Sequence, residues 1–369
     1  MRRHEQYQID GAHVRVHAVT ALVNVVHAGS NVESPDVATA LPIVDAPPPP
    51  YAGLTAECVL DALDSVGVRG DGRMIALNSY ENRVYQLWRD DEPPVVAKFY
   101  RPLRWSDEAI LEEHALVEEL DAHEVPAVAP MTIDGRTLHR FGDFRFSIFA
   151  RHGGRAPELE QRATLEHLGR YIARMHTVGA ARRFQHRPAL TIASFGDESR
   201  AFLLEQGFVP DDIRTAWTSI VDQALQSVRR AYADRPLTML RLHGDCHGGN
   251  VLWTDAGPHF VDFDDARSGP AVQDLWMLLS GERAAMESQL RILVGAYESF
   301  RDFDRRELAL IEPLRTLRLL HYSAWIARRW NDPAFPAAFP WFNTQRYWQD
   351  RILELREQVA LMDEPPLDA

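Results

Sequence analysis

Lysine is all but missing from this chain. Of its 40 basic residues, one, Lys98, is lysine and the rest are arginine. A compact ammonium reaches between two phosphates where a planar guanidinium fork does not fit. A position that keeps lysine while every other basic position uses arginine is therefore a candidate for a charge of particular shape. Cysteine is nearly as scarce: Cys58 and Cys246 lie far apart, giving neither a disulfide framework nor zinc-ligand spacing, and fit a reducing compartment. No apolar run reaches the roughly 18 residues that a membrane-spanning helix needs, and there is no internal repeat. With 53 acidic residues against 40 basic ones the formal charge is −13, the opposite of the basic footprint of a general nucleic-acid binder.

Residues 1–50 stand apart. Met1-Arg2-Arg3 followed by the apolar stretch 18–26 imitates an export signal, but Glu5 and Asp10 precede that stretch and His17, Asn24 and His27 interrupt or bound it. Pro47 to Pro50 then form a stiff spacer. The expectation is a disordered extension, or translated sequence upstream of the native start, on a cytoplasmic protein.

From residue 51 the pattern changes twice. A short amphipathic helix over 54–67 is followed by strand-like segments at 74–77, 83–88 and 94–100. A helix over 106–120 comes next, with Ser106 as its N-cap and Asp107 and Glu108 in its first turn. Three further strands are expected at 128–133, 137–141 and 144–149. Beyond Gly154 the periods are helical, over 159–176, 210–233, 272–279, 288–300, 306–330 and 344–359, with one β-like interlude at 250–262. A sheet-rich part at 51–150 joined to a helical part at 151–366 predicts an α+β, protein-kinase-like bilobal fold with a cleft between an antiparallel-sheet lobe and a helical lobe.

The chemistry is concentrated in His243-Gly244-Asp245-Cys246-His247-Gly248-Gly249-Asn250. Asp245 and Asn250 stand at the Asp-x₄-Asn interval of a kinase catalytic loop, which aims the aspartate at an attacking hydroxyl and turns the asparagine oxygen to Mg²⁺. Twelve positions on, Val261-Asp262-Phe263-Asp264 offers a second carboxylate after an apolar strand. Mg²⁺ takes one or two carboxylates together with phosphate oxygens. Lys98, in Val95-Val96-Ala97-Lys98, occupies the strand position from which kinases present a lysine to the α- and β-phosphates of ATP. Its partner is expected on the following helix; of the adjacent Glu112 and Glu113, Glu113 shares the stripe of Leu116, Val117 and Leu120. The phosphate-covering turn falls at Asn78-Ser79-Tyr80-Glu81-Asn82, which contains no glycine. Ser79 is the residue expected at the phosphate, with a plain hairpin turn as the alternative. Asp274 is expected to hold the catalytic-loop backbone, and His243 to be a buried strut rather than a base. His247 could face the γ-phosphate. Cys246 reads as a packing residue, with an exposed, oxidation-sensitive thiol as the alternative.

His-Gly-Asp-x-His-x-Gly-Asn followed by Asp-x-Asp resembles the aminoglycoside phosphotransferase and choline kinase superfamily. Longer strings, at 77–86, 98–105, 240–250, 260–279 and 328–341, look closer to a bacterial stress-response branch of Ser/Thr protein kinases within it. The resemblance runs from about Leu54 to Pro366. It implies a cytoplasmic monomer that uses ATP and Mg²⁺, with Asp245 as base, Asn250 and Asp262 as metal ligands, Lys98 and Ser79 at the nucleotide, and a protein Ser or Thr as acceptor.

Three functions remain open on sequence. The first is the Ser/Thr protein kinase. The second is a kinase of a small amino alcohol, sugar or aminoglycoside, favoured by the mere twelve positions between Asp262 and Asp274. For it, Tyr322, Trp325, Trp330, Phe335, Phe339, Trp341 and Phe342 would line an acceptor pocket rather than form core, and Arg315, Arg318, Arg328 and Arg329 would suit an anionic acceptor. The third is a nucleotide-binding module without catalysis, against which the complete set Lys98, Asp245, Asn250 and Asp262 argues.

Overall fold

Alternation and β-branching place the strands, and burial then orders them. The computed structural model describes residues 49–233 and 235–369; all but two of the residues expected to form the N-terminal extension lie outside that range. Met74–Leu77 (β1), Arg83–Leu87 (β2), Val95–Phe99 (β3), His139–Phe141 (β4) and Phe144–Ala150 (β5) form one antiparallel sheet in the order β1-β2-β3-β5-β4. The central strand is β3, paired so that Lys98 stands between Val84 and Ser147. Helix α1 (Ala56–Asp64), capped by the Thr55 hydroxyl accepting from the Cys58 N–H at 3.1 Å, lays Val59, Ala62 and Leu63 on this sheet. Together with Phe99, Phe146 and Ile148 they make the smaller of two cores.

Helix α2 (Asp107–Ala122) follows β3, and Ser106 caps it by accepting from the Ala109 N–H at 3.2 Å. By chain order it belongs with the sheet, yet its stripe of Leu116, Val117 and Leu120 is buried in the second, larger core. That core is built by α3 (Arg162–Ala180), α4 (Glu198–Glu205), α5 (Asp211–Tyr232), α6 (Val272–Trp276), α7 (Arg283–Tyr297), α8 (Ile311–Ala327), α9 (Ala334–Ala338) and α10 (Gln345–Asp363). Gly169 lets α3 press against α7, because a Cβ there would stand 2.4 Å from the Leu293 carbonyl oxygen. Two small ladders face the sheet lobe: Leu240–Leu242 (β6) with Arg267–Gly269 (β9), and Val251–Thr254 (β7) with Gly257–Phe260 (β8). The expected α+β bilobal architecture is present.

Some elements differ from expectation. Residues 128–133 form no continuous strand, only bridges from Pro130 to Phe149 and from Ile133 to Arg136. Pro130 has no N–H to give a ladder, and the segment instead crosses between lobes, with the Val128 N–H donating to Phe260 O at 3.0 Å. The helix expected over 306–330 divides into a 3₁₀ turn at Arg305–Leu310 and α8, since Pro313 cannot donate back to the turn before it. The three-residue strands β6 and β9 were too short to show as a period.

The 3₁₀ turn carries Glu307, which is buried and accepts the Val272 N–H at the start of α6 at 2.9 Å. Burial pushes its carboxyl up to about 7 from an ordinary 4.5. Between those two values the folded chain holds a proton that the unfolded chain has released, so this group's contribution to stability falls as pH rises through the window. Glu307→Gln keeps an acceptor for Val272 and removes the titration. Denaturant unfolding at pH 5 and 7.5 should show the variant gaining about 2 kcal/mol relative to the parent over that interval; a constant difference would contradict an elevated carboxyl.

Candidate active site

The register of β3 turns Lys98 into the space between the lobes, where its side chain is 8% exposed. Its Nζ lies 3.2 Å from Asp262 Oδ1, 3.3 Å from Asp264 Oδ1 and 3.6 Å from Glu113 Oε1. Burial opposes the ammonium, but Asp264, Glu113 and Asp262 outweigh it and hold its pKa well above the ordinary lysine value. The structure separates the two adjacent glutamates of α2. Glu113 reaches Lys98 with one oxygen and Arg187 with the other, at 2.5 Å. Glu112 instead accepts the backbone N–H groups of Gln185, His186 and Arg187 at 2.7–2.9 Å, fixing the loop that delivers Arg187.

The loop after β6 is held from behind. Buried Asp274, on α6, accepts the N–H groups of His243 and Gly244, each at 2.9 Å, and its Oδ2 lies 3.1 Å from His176 Nε2. Gly244 has φ +82°, and a Cβ there would lie 2.3 Å from the Asp265 carbonyl oxygen, so both conformation and space require glycine. The fully buried His243 ring accepts the Asp245 N–H at Nδ1 (3.3 Å) and donates from Nε2 to Val261 O (3.0 Å). With both nitrogens committed it is a strut between the loop and the strand leading to Asp262.

Asp245 projects from this brace into the cleft. Arg318 of α8 places Nη2 2.8 Å from Asp245 Oδ1, and His247 Nε2 lies 3.5 Å from Oδ2. The Arg318 contact is an ion pair without hydrogen-bond alignment, so Oδ1 has no hydrogen-bond partner among the described residues. Burial raises the Asp245 carboxyl, but Arg318 first and then His247 and His243 overcome it and hold the group well below the usual carboxylate range. An ionised carboxylate that lines a cleft is equipped to accept a hydroxyl proton.

Asn250 donates from Nδ2 to Asp245 O at 2.9 Å, which leaves its amide oxygen free. Its backbone oxygen accepts the Val261 N–H at 3.0 Å, so Asn250 and the neighbouring Asp262 sit side by side at the base of the β7–β8 hairpin. Asp262 adopts a left-handed conformation, φ 59°, with its side chain 56% exposed toward the cleft. Among the described residues no three His, Cys, Asp or Glu side chains are grouped to hold a metal unaided. Two hard oxygens, one carboxylate and one amide, do fit an ion such as Mg²⁺ that completes its shell with phosphate and water.

Ser79 lines the same cleft from the turn between β1 and β2. The cleft measures about 760 Å³, the scale of a small-molecule or cofactor site. The aromatic cluster divides: Phe335, Phe339 and Phe342 are core, whereas Tyr322 and Trp325 line the cleft. The four arginines do not make one anion site. Arg318 faces Asp245, Arg329 pairs with Glu81, Arg315 pairs with Glu312, and Arg328 lies over the Phe202 ring.

Asp264, Arg104 and Arg187 were not singled out from sequence. Asp264 is buried against Lys98 and Arg104, and the two arginines tie it and Glu113 together. The second carboxylate in Asp-Phe-Asp, where a kinase motif carries glycine, was the one available signal.

These features define a phosphotransferase, and comparison with known proteins agrees. Residues 74–311 match the model of the phosphotransferase enzyme family called APH, and the chain belongs to that family. It is 45% identical over 317 residues to stress response kinase A of Escherichia coli (strain K12), covering 86% of this chain and 96% of that one. Identity and coverage are the same against the serine/threonine protein kinase RdoA of Salmonella typhimurium. Among solved structures, the amicoumacin kinase hAmiN, in complex with AMP-PNP, Ca²⁺ and Ami, shares the fold with TM-score 0.63 at 17% identity, over 81% of this chain and 90% of that one. A microcompartment-associated aminopropanol kinase does so with TM-score 0.61 at 19%, over 84% and 97%. The protein is thus a kinase-type enzyme whose relatives are named for stress response.

Cys246 is fully buried, and burial, then the charges of Asp274 and Asp245, push its thiol well above the ordinary value. It is a packing residue, not an exposed redox thiol. A thiol reagent such as DTNB should report only the partly exposed Cys58 in the native protein and both cysteines after denaturation; two reactive thiols in the folded state would rule this out.

Proposed function

We propose that the chain is an ATP- and Mg²⁺-dependent protein kinase that phosphorylates serine or threonine in a bacterial stress response, as a cytoplasmic monomer. The observation that carries this reading is the Asp245 carboxylate, held ionised by Arg318 and His247 and lining the cleft that also contains Lys98 and Ser79. The names of the 45%-identical relatives supply the protein acceptor and the stress context.

In this reading ATP lies between the lobes, with Lys98 on its phosphates and Ser79 at the phosphate turn. Glu113 holds Lys98 in place. The acceptor hydroxyl gives its proton to Asp245 as its oxygen bonds to the γ-phosphorus, and the bond to the β-phosphate oxygen breaks to release ADP. Asn250 and Asp262 would hold Mg²⁺, which supplies neutralisation of phosphate charge. Arg318 keeps the Asp245 carboxylate ionised and directed into the cleft.

A small-molecule acceptor is the second reading. It is favoured by the chain between Asp262 and Asp274, which passes directly through a 3₁₀ turn, β9 and the start of α6 and has no room for a long activation segment.

Transfer from γ-labelled ATP with Mg²⁺ separates the two. The protein should label itself or a general protein acceptor on serine or threonine, and Asp245→Asn should lower transfer about a thousandfold. Label confined to a small alcohol would move the enzyme to the second class, and transfer undiminished in Asp245→Asn would remove Asp245 as base.

A further inference from the structure

A turn that closes over phosphates is usually rich in glycine because it must bend toward the nucleotide. The turn at 78–82 has none, and its second half, Tyr80 to Asn82, is tied down from both lobes. The Tyr51 hydroxyl donates to Glu81 O at 3.0 Å, and Asn82 Oδ1 accepts the Arg101 N–H at 3.1 Å. The Tyr80 ring packs on Phe339, with centroids 4.9 Å apart. At the centre is the Glu81 carboxylate, buried with its residue 9% exposed. It accepts Trp325 Nε1–H at 2.7 Å and has Arg329 Nε at 2.6 Å, both from the helical lobe. Arg101 and Arg104 each approach to 3.6 Å from the sheet lobe.

The tie continues in both directions. Arg101 also pairs with Asp332 of the helical lobe at 2.9 Å, and Arg104 pairs with Asp264, which itself contacts Lys98. A carboxylate that serves only packing has no need of an indole N–H and three guanidinium groups drawn from both lobes. Its place two residues from Ser79 gives the cluster a bearing on the phosphates.

We infer that Glu81 is a positioning residue for phosphoryl transfer: it bolts the phosphate turn to Trp325 and Arg329 of the helical lobe, so that the cleft is already closed at this turn before ATP arrives. The inference rests on the reading of this cleft as the ATP site. A preset turn spares the ordering that nucleotide binding otherwise has to supply. Swinging the lobes apart would strip a buried carboxylate of its partners, which is strongly unfavourable. ATP therefore enters along the cleft without opening it, and glycine-free sequence at the turn is the consequence of rigidity already provided.

The test combines a distance with kinetics. Spin labels go on Ile75→Cys of β1 and Phe300→Cys after α7, both exposed, in a Cys58→Ser background. Pulsed electron resonance should give one narrow inter-lobe distance without nucleotide, unchanged by AMP-PNP. Trp325→Phe keeps a ring but removes the donor, and Glu81→Gln removes the charge. Each should broaden the nucleotide-free distribution, which AMP-PNP then narrows, and raise KM for ATP about tenfold with kcat changed less than about twofold. If Glu81→Gln does not fold, Trp325→Phe alone decides the matter. The inference is overturned if the parent enzyme shows a broad distribution that narrows only with AMP-PNP, or if Trp325→Phe alters neither distance nor KM. A parent that neither binds nor consumes ATP would strike the proposed function alone, since the nucleotide-free distances of parent and variants still judge the bolt.

Discussion

One buried ammonium organises this molecule. Lys98, on the sheet, is the point where α2 and the 3₁₀ segment after β8 meet it, the helix contributing Glu113 and the 3₁₀ segment Asp262 and Asp264. An isolated lysine at that depth would lose its proton, because removing the charge from water costs several kcal/mol. Three carboxylates reverse that, and Arg104 and Arg187 balance the excess they create. The cluster therefore stands only if both lobes hold their relative placement. That ties the electrostatics of the site to the packing of the whole chain.

The packing answers that demand. Helix α2 carries Glu113 and lodges its apolar stripe in the larger core, so the lysine partner moves with the helical lobe rather than with the sheet. The segment at 127–130 is sewn to Phe260 on one side and Phe149 on the other. On the far side of the cleft the Glu81 cluster makes a second cross-lobe tie. Between them lies the braced loop, in which Asp274, His243 and Gly244 leave Asp245 little freedom beyond its own side-chain rotation. Preorganisation of this kind is what phosphoryl transfer asks of a protein, since the reaction needs alignment and charge more than covalent chemistry.

The arginine-rich composition takes its meaning from these ties. A guanidinium can serve several acceptors at once, as Arg187 does with Glu113, Ala109 O, Asp264 O and Ala266 O. Lysine, a single compact charge, stands where three carboxylates converge on one buried point.

What the sequence alone determined is what depends on short chain separations. The Asp-x₄-Asn loop, the strand around Lys98, the Ser106 cap and the choice of Glu113 over Glu112 all follow from neighbours within about two helical turns, where backbone geometry dictates who faces whom. Contacts between residues far apart in the chain were decided only by the fold. Asp264 with Arg104 and Lys98, Arg187 with Glu113, Arg318 with Asp245 and Arg329 with Glu81 join positions separated by 70 to 250 residues. No local pattern marks an arginine as the partner of one carboxylate among 53 acidic side chains. That choice comes from how α2, α8 and the sheet dock, and docking is set by the summed burial of two cores rather than by any single residue.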